Sequence, residues 1–161
     1  NGVAPEDVDY IFITHLHGDH IGGLMKDGTA VFTDAELYIN KVELDAWMAM
    51  EQNATLVALT QAYGDRLKTF APGDALPCGV EAMEAYGHTP GHTVYKVGSA
   101  LVVGDIMHGV ALQLENPQYC ARFDMDPEQS VATRKRVLEI AADRGLKIYG
   151  MHFPEPYYLQ L

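Results

Sequence analysis

The chain has 161 residues, 48% of them hydrophobic and 20% charged, the balance of an ordinary globular protein; at this length one domain spanning 1–161 is expected. Its 22 acidic and 11 basic residues leave a net charge of -11, which repels phosphate backbones and anionic surfaces. Nucleic acid and membrane are therefore not expected as partners, and no apolar run approaches the roughly 18 residues of a membrane span.

In chain order, "VDYIFITH" (8–15) reads as a buried strand after the turn-like "APED". Strand-like pieces follow at "AVFT" (30–33) and "AELYIN" (35–40). Asn40 is placed to cap a helix through "VELDAWMAM", with Glu43 as its capping-box partner. A second helix is predicted over "ATLVALTQAYGDRL" (54–67), and "APGDALPCG" is a turn region. "VEAMEAY", "TVYKVG" and "ALVVGD" read as strands with short connections. The clearest helix is "DPEQSVATRKRVLEIAADRG", with Asp126 as N-cap, Pro127 first, Gln129 as box partner and Gly145 as stop. Its basic cluster, "TRKRVLEIAADRG", reads as a solvated helix face, and "LKIYGMH" as a last buried strand. Helices alternate with consecutive strands, which predicts sheets covered by helices, a mixed α/β (α+β) class. Cys78 and Cys120 stand in no ligand-spaced pattern; they exclude a disulfide scaffold and read as small buried hydrophobes. No targeting segment is visible.

The seven histidines are His15, His17, His20, His88, His92, His108 and His152. Each falls at a predicted strand end or in a glycine-rich loop, and none on the three predicted helices. Such loops, carried on a rigid sheet, are where binding groups concentrate. "HLHGDH" (15–20) is the densest group. In extended backbone His15 and His17 project to one side and can chelate one ion. Gly18 allows a sharp turn, so Asp19 and His20 point elsewhere and could serve a second ion. Gly22 and Gly23 let the backbone pass close. Imidazole and carboxylate without thiolate suit zinc, iron or manganese. Further ligands are on offer in "GHTPGHT" (His88, His92), "VVGD" (Asp105) and "IYGMH" (His152).

This ordered set, His-x-His-x-Asp-His, then "HTPGHT", then an Asp and a His after later strands, resembles the metallo-β-lactamase superfamily. "GDIMH" and "MHFP" are most similar to the branch of methyl parathion hydrolase and lactonase-like hydrolases. The resemblance implies an αβ/βα sandwich with a dinuclear metal centre at one sheet edge. It places His15, His17 and His92 on the first ion, Asp19, His20 and His152 on the second, and Asp105 between them. The ions would be two divalent metals, Zn2+ first, with Fe or Mn as alternatives. Asp19 and Asp105 would position a bridging hydroxide that cleaves a lactone, carboxylic ester or phosphoric ester of a small molecule. His108 stands where related lactonases carry a Tyr that contacts substrate, and is a candidate substrate contact. His88, Thr89 and Thr93 are expected to shape the loop, and Trp47, Met48 and Met50 to pack in the core or line a pocket.

The family pattern places several strands ahead of "DYIFITH" and a longer segment after the last His. The chain therefore reads as truncated in the N-terminal half and at the C-terminus. Two rival readings are an iron-dependent redox relative of the same fold and a catalytically incompetent fragment.

Overall fold

In the computed structural model, which describes residues 2–50 and 53–161, the chain divides into two units, one ending at Ala71 and the other beginning at Pro72. The first unit runs β1 (Tyr10–Phe12), α1 (Gly18–Ile21), β2 (Met25–Lys26), β3 (Thr29–Ala30), β4 (Glu36–Asn40), α2 (Lys41–Met48), α3 (Ala54–Tyr63) and β5 (Leu67–Phe70). β1, β4 and β5 form a parallel sheet in that order, with Ile11 opposite Leu37 and Leu37 opposite Leu67. In β4 the period of two is plain: Leu37 and Ile39 are fully buried, while Glu36 and Tyr38 share the other face and pair through the Tyr38 hydroxyl at 2.7 Å. Leu56, Leu59 and Tyr63, at helical spacing on α3, pack into the same core as Leu37 and Ile39.

The second unit runs β6 (Glu81–Glu84), β7 (Thr93–Val97), β8 (Ala100–Gly104), α4 (Val110–Glu115), α5 (Pro127–Asp143), β9 (Lys147–Gly150) and β10 (Tyr158–Gln160). Its sheet has the order β10-β9-β8-β7-β6; only the β8–β9 pair is parallel. The crossover from β8 to β9 carries α5, whose Val137 and Ala141 pack with Val94, Leu101, Val103 and Ile148. Since β8 and β9 are parallel and β7 is antiparallel to β8, one sheet edge collects the segment before β7 and those after β8 and β9. These are the segments that carry His88, His92, Asp105, His108 and His152.

The elements differ from the sequence expectation at several points. The first strand spans three residues rather than eight, because the chain leaves the sheet after Ile13, whose amide still bonds Tyr38 of β4, to build the histidine segment. "AVFT" is strand only at Ala30; Asp27 and Gly28, both at positive φ, close a tight β2–β3 hairpin instead. α3 stops at Tyr63, where Gly64 takes positive φ, and "LKTF" becomes β5. α4 and β10 were not foreseen. Arg134 is fully buried, not solvated: Ser130, Arg134, Val137 and Ala141 recur at spacings of four, three and four on the inward face of α5. Cys78 and Cys120 are exposed, not buried, because both lie in turn or irregular segments outside the two cores.

Candidate metal centre

The first unit builds its histidine group from one short loop. Leu16 points into the core at 2% exposure, which turns His15 and His17 together to the other side. Their rings stand edge to face, 4.8 Å apart. The Leu16 amide donates to Glu43 Oε1 at 2.9 Å, so a buried carboxylate from α2 pins the loop from beneath. Asn40 caps α2 through its side chain to Val42, as expected. His15 Nδ1 lies 3.1 Å from the Thr14 hydroxyl. One helical turn, α1, follows with His17 as its N-cap, and Ile21 anchors it in the core. That turn brings the His20 ring to 4.0 Å from His15 rather than away from it. Asp19 is exposed on the same turn, its Oδ2 3.5 Å from His20 Nε2. The glycines do not act as expected. Gly18, Gly22 and Gly23 have no positive φ, and a Cβ on any of them would meet nothing within 4 Å. Trp47 packs edge-on to His17 at 5.3 Å, while Met48 and Met50 are exposed and line a surface pocket with Asn53 and Val57, the second of the two expectations for them.

The second unit draws its group from three segments. Asp105 follows Gly104, the positive-φ end of β8, and its side chain is 3% exposed. Around its Oδ2 stand three imidazole nitrogens: His108 Nε2 at 3.0 Å, His152 Nε2 at 3.1 Å and His88 Nε2 at 3.5 Å. His88, Asp105 and His108 each offer a ligand atom within 4.8 Å of the others, a spacing that suits a metal ion. His108 and His152 stack at 4.9 Å. His92 is buried too, but its Nε2 accepts the backbone N–H of Asp105 at 3.1 Å. Thr93 shapes the loop, as expected, through a hydroxyl bond to the Gly91 carbonyl; Thr89 does so through its backbone carbonyl, which accepts from Gly87 and His92.

Sequence reading missed what stands behind His88. Its Nδ1 lies 2.8 Å from Asp124 Oδ1, and both side chains are buried. Burial alone would raise the Asp124 pKa; the hydrogen bond and charge of His88, the Ala121 amide and Arg134 outweigh it and hold the carboxyl below its ordinary value. Arg134 lies 3.6 Å from Asp124 Oδ2. Its guanidinium also donates to the carbonyls of Ile106, Pro117 and Tyr119 at 2.5, 2.6 and 2.9 Å. The spacing of Arg134 on α5 was a readable signal; Asp124, in an irregular segment, gave none.

The sequence profile of the metallo-β-lactamase superfamily matches residues 1–26. A solved hydrolase, AbOPH of the β-lactamase superfamily, superimposes with a TM-score of 0.87 and 33% identity, over 99% of this chain and 62% of that one. Over nearly its whole length the chain is similar to a hydrolase of the metallo-β-lactamase superfamily. The dizinc quorum-quenching lactonase AidC, solved with the product N-hexanoyl-L-homoserine, gives a TM-score of 0.86 at 27% identity, over 98% of this chain and 61% of that one. Among curated relatives, the N-acyl homoserine lactonase of Bacillus thuringiensis is 27% identical over 156 residues, 94% of this chain and 58% of its own length. The hydroxyacylglutathione hydrolase of Shewanella denitrificans is 26% identical, over 94% of this chain and 54% of its own length. The chain thus spans a little over half the length of the curated relatives it matches. Its α/β class and this superfamily's fold agree with the expectation drawn from "HLHGDH" and "GHTPGHT".

Proposed function

We propose that this chain is part of a metallo-β-lactamase-like, metal-dependent hydrolase of small ester-like substrates, a lactone first and a carboxylic or phosphoric ester second. The convergence of His88, His108 and His152 Nε2 on one buried Asp105 oxygen carries the reading. Imidazole nitrogens and a carboxylate are all electron-pair donors, and their close approach around a buried carboxylate suits a shared cation. The lactonase and hydrolase names of the relatives support the reaction class, and the dizinc AidC supports zinc.

The candidate ligands are His15, His17, Asp19 and His20 within the first unit, and His88, Asp105 and His152 within the second. His88 replaces His92 in the sequence-based set, because the His92 Nε2 is taken up by the Asp105 amide. His92 instead fixes the backbone from which the Asp105 carboxylate projects. Bound divalent metal supplies an activated water and polarises the carbonyl or phosphoryl oxygen. In the second unit, Asp105 would orient such a water by accepting its hydrogen bond; Asp19 is the carboxylate of the first unit's own group. His108, 22% exposed, can reach a substrate oxygen beside Asp105.

Elemental analysis is expected to find two metal ions per chain, with lactone turnover that chelators abolish. Asp105→Ala is expected to lose metal and to cut turnover by about 10³-fold or more. Turnover unchanged by Asp105→Ala sinks the reading. His88→Ala is expected to lose more metal than His92→Ala, and the reverse order restores His92 as ligand.

A further inference from the structure

His88, Asp124 and Arg134 form a buried line that ends on the Asp105 carboxylate. All three side chains are within 1% of full burial, and none but His88 is in the proposed ligand set. Asp124 Oδ2 is held by the Ala121 amide at 3.0 Å and faces Arg134, which leaves Oδ1 for His88 Nδ1. An ionised carboxylate only accepts, so the proton in that bond sits on Nδ1. In a neutral ring Nε2 then carries a lone pair, and it faces Asp105 Oδ2 at 3.5 Å. Two electron-pair donors face each other there, an arrangement that a cation between them satisfies.

The loop itself is clamped to α5. The Met125 and Asp126 amides donate to the His88 and Gly87 carbonyls at 3.1 and 2.8 Å. A Cβ on Gly87 would overlap the Ser130 backbone, so the loop lies directly on the first turn of α5. His88 is therefore set in both its backbone and its tautomer by one segment, residues 121–134.

From this geometry we infer that Asp124 is a positioning residue of the metal centre: it fixes the His88 tautomer and aims Nε2 at the ion that Asp105 shares. The inference rests on the proposed function for the presence of that ion. It concerns a residue that contacts neither metal nor substrate and acts only through His88, in the manner of outer carboxylates that orient metal-ligating imidazoles.

Long-range nitrogen–proton NMR of the 15N-histidine-labelled full chain at pH 8, without metal, tests the hold on His88 directly. The expected result is a proton on Nδ1. A ring whose Nδ1 carries no proton overturns the inference. Titration of zinc against a chromophoric chelator then compares Asp124→Asn with Val137→Ala, a control that weakens the packing of α5 outside residues 121–134. Asp124→Asn is expected to lower zinc affinity by about 10- to 100-fold, and Val137→Ala to leave it unchanged. Equal affinity in Asp124→Asn and the wild-type chain, or an equal loss in Val137→Ala, overturns the inference. If the wild-type chain binds no divalent metal, the proposed function falls, and the tautomer measurement still decides what Asp124 does. That measurement needs no variant, so a misfolded Asp124→Asn chain does not decide the matter.

Discussion

The first unit draws its four candidate ligands from residues 15–20, whereas the second draws its own from residues 88, 105 and 152. In the first, a single loop and one helical turn set the geometry, with Leu16 and Ile21 as anchors and Glu43 beneath. In the second, three segments meet because β7, β8 and β9 end at one sheet edge, and a buried ionic line from α5 holds the meeting point. A contiguous ligand group needs little fold to define it. A dispersed one depends on sheet register and on residues that carry no metal-binding signature.

That contrast predicts unequal tolerance to equal chemical changes. Gly87→Ala in the second unit is expected to do the most damage. The left-handed φ of 127° and the overlap with Ser130 together cost about 3 kcal/mol or more, read as a fall in denaturation midpoint. Glu43→Ala in the first unit comes next. It leaves the buried Leu16 amide without its carboxylate, at about 1–3 kcal/mol, and is expected to weaken zinc binding by loosening His15 and His17. Asp126→Ala removes the cap that accepts the Gln129 amide and costs about 1 kcal/mol in the same measurement. Gly22→Ala is expected to be neutral or to stabilise by about 0.4–1 kcal/mol, since Gly22 has φ −60° and open space around it. If Gly22→Ala damages stability as much as Gly87→Ala, the distinction between a self-contained loop and an assembled one is broken.

The same distinction explains what the sequence made legible. "HLHGDH" announces itself because its ligand types are adjacent, and strand-end positions for Asp105 and His152 follow from the apolar runs "ALVV" and "KIY". The α5 boundaries were readable because Asp126, Pro127 and Gly145 are local signals. The proposed preference for His88 over His92 was not readable. Both are buried in one loop, and only the direction of their ring nitrogens, toward Asp124 and the Asp105 carboxylate or toward the Asp105 amide, separates them. The glycines misled for a related reason. Glycine permits a left-handed turn but does not require one, and Gly18, Gly22 and Gly23 follow an ordinary right-handed course. Arg134 misled because its charge was weighed above its helical spacing to Val137 and Ala141. Short elements such as α4 and β10 are set by tertiary pairing, β10 by its register with Tyr149 and Ile148, and have no period long enough to read.

The clamp between the His88 loop and α5 also ties two local fluctuations together. The Met125 and Asp126 amides are donors to the His88 and Gly87 carbonyls, so neither proton can be traded with deuterated water until the loop lifts. The loop and the start of α5 therefore open as one unit. Their two exchange rates form a built-in gauge of how often the imidazole leaves its place.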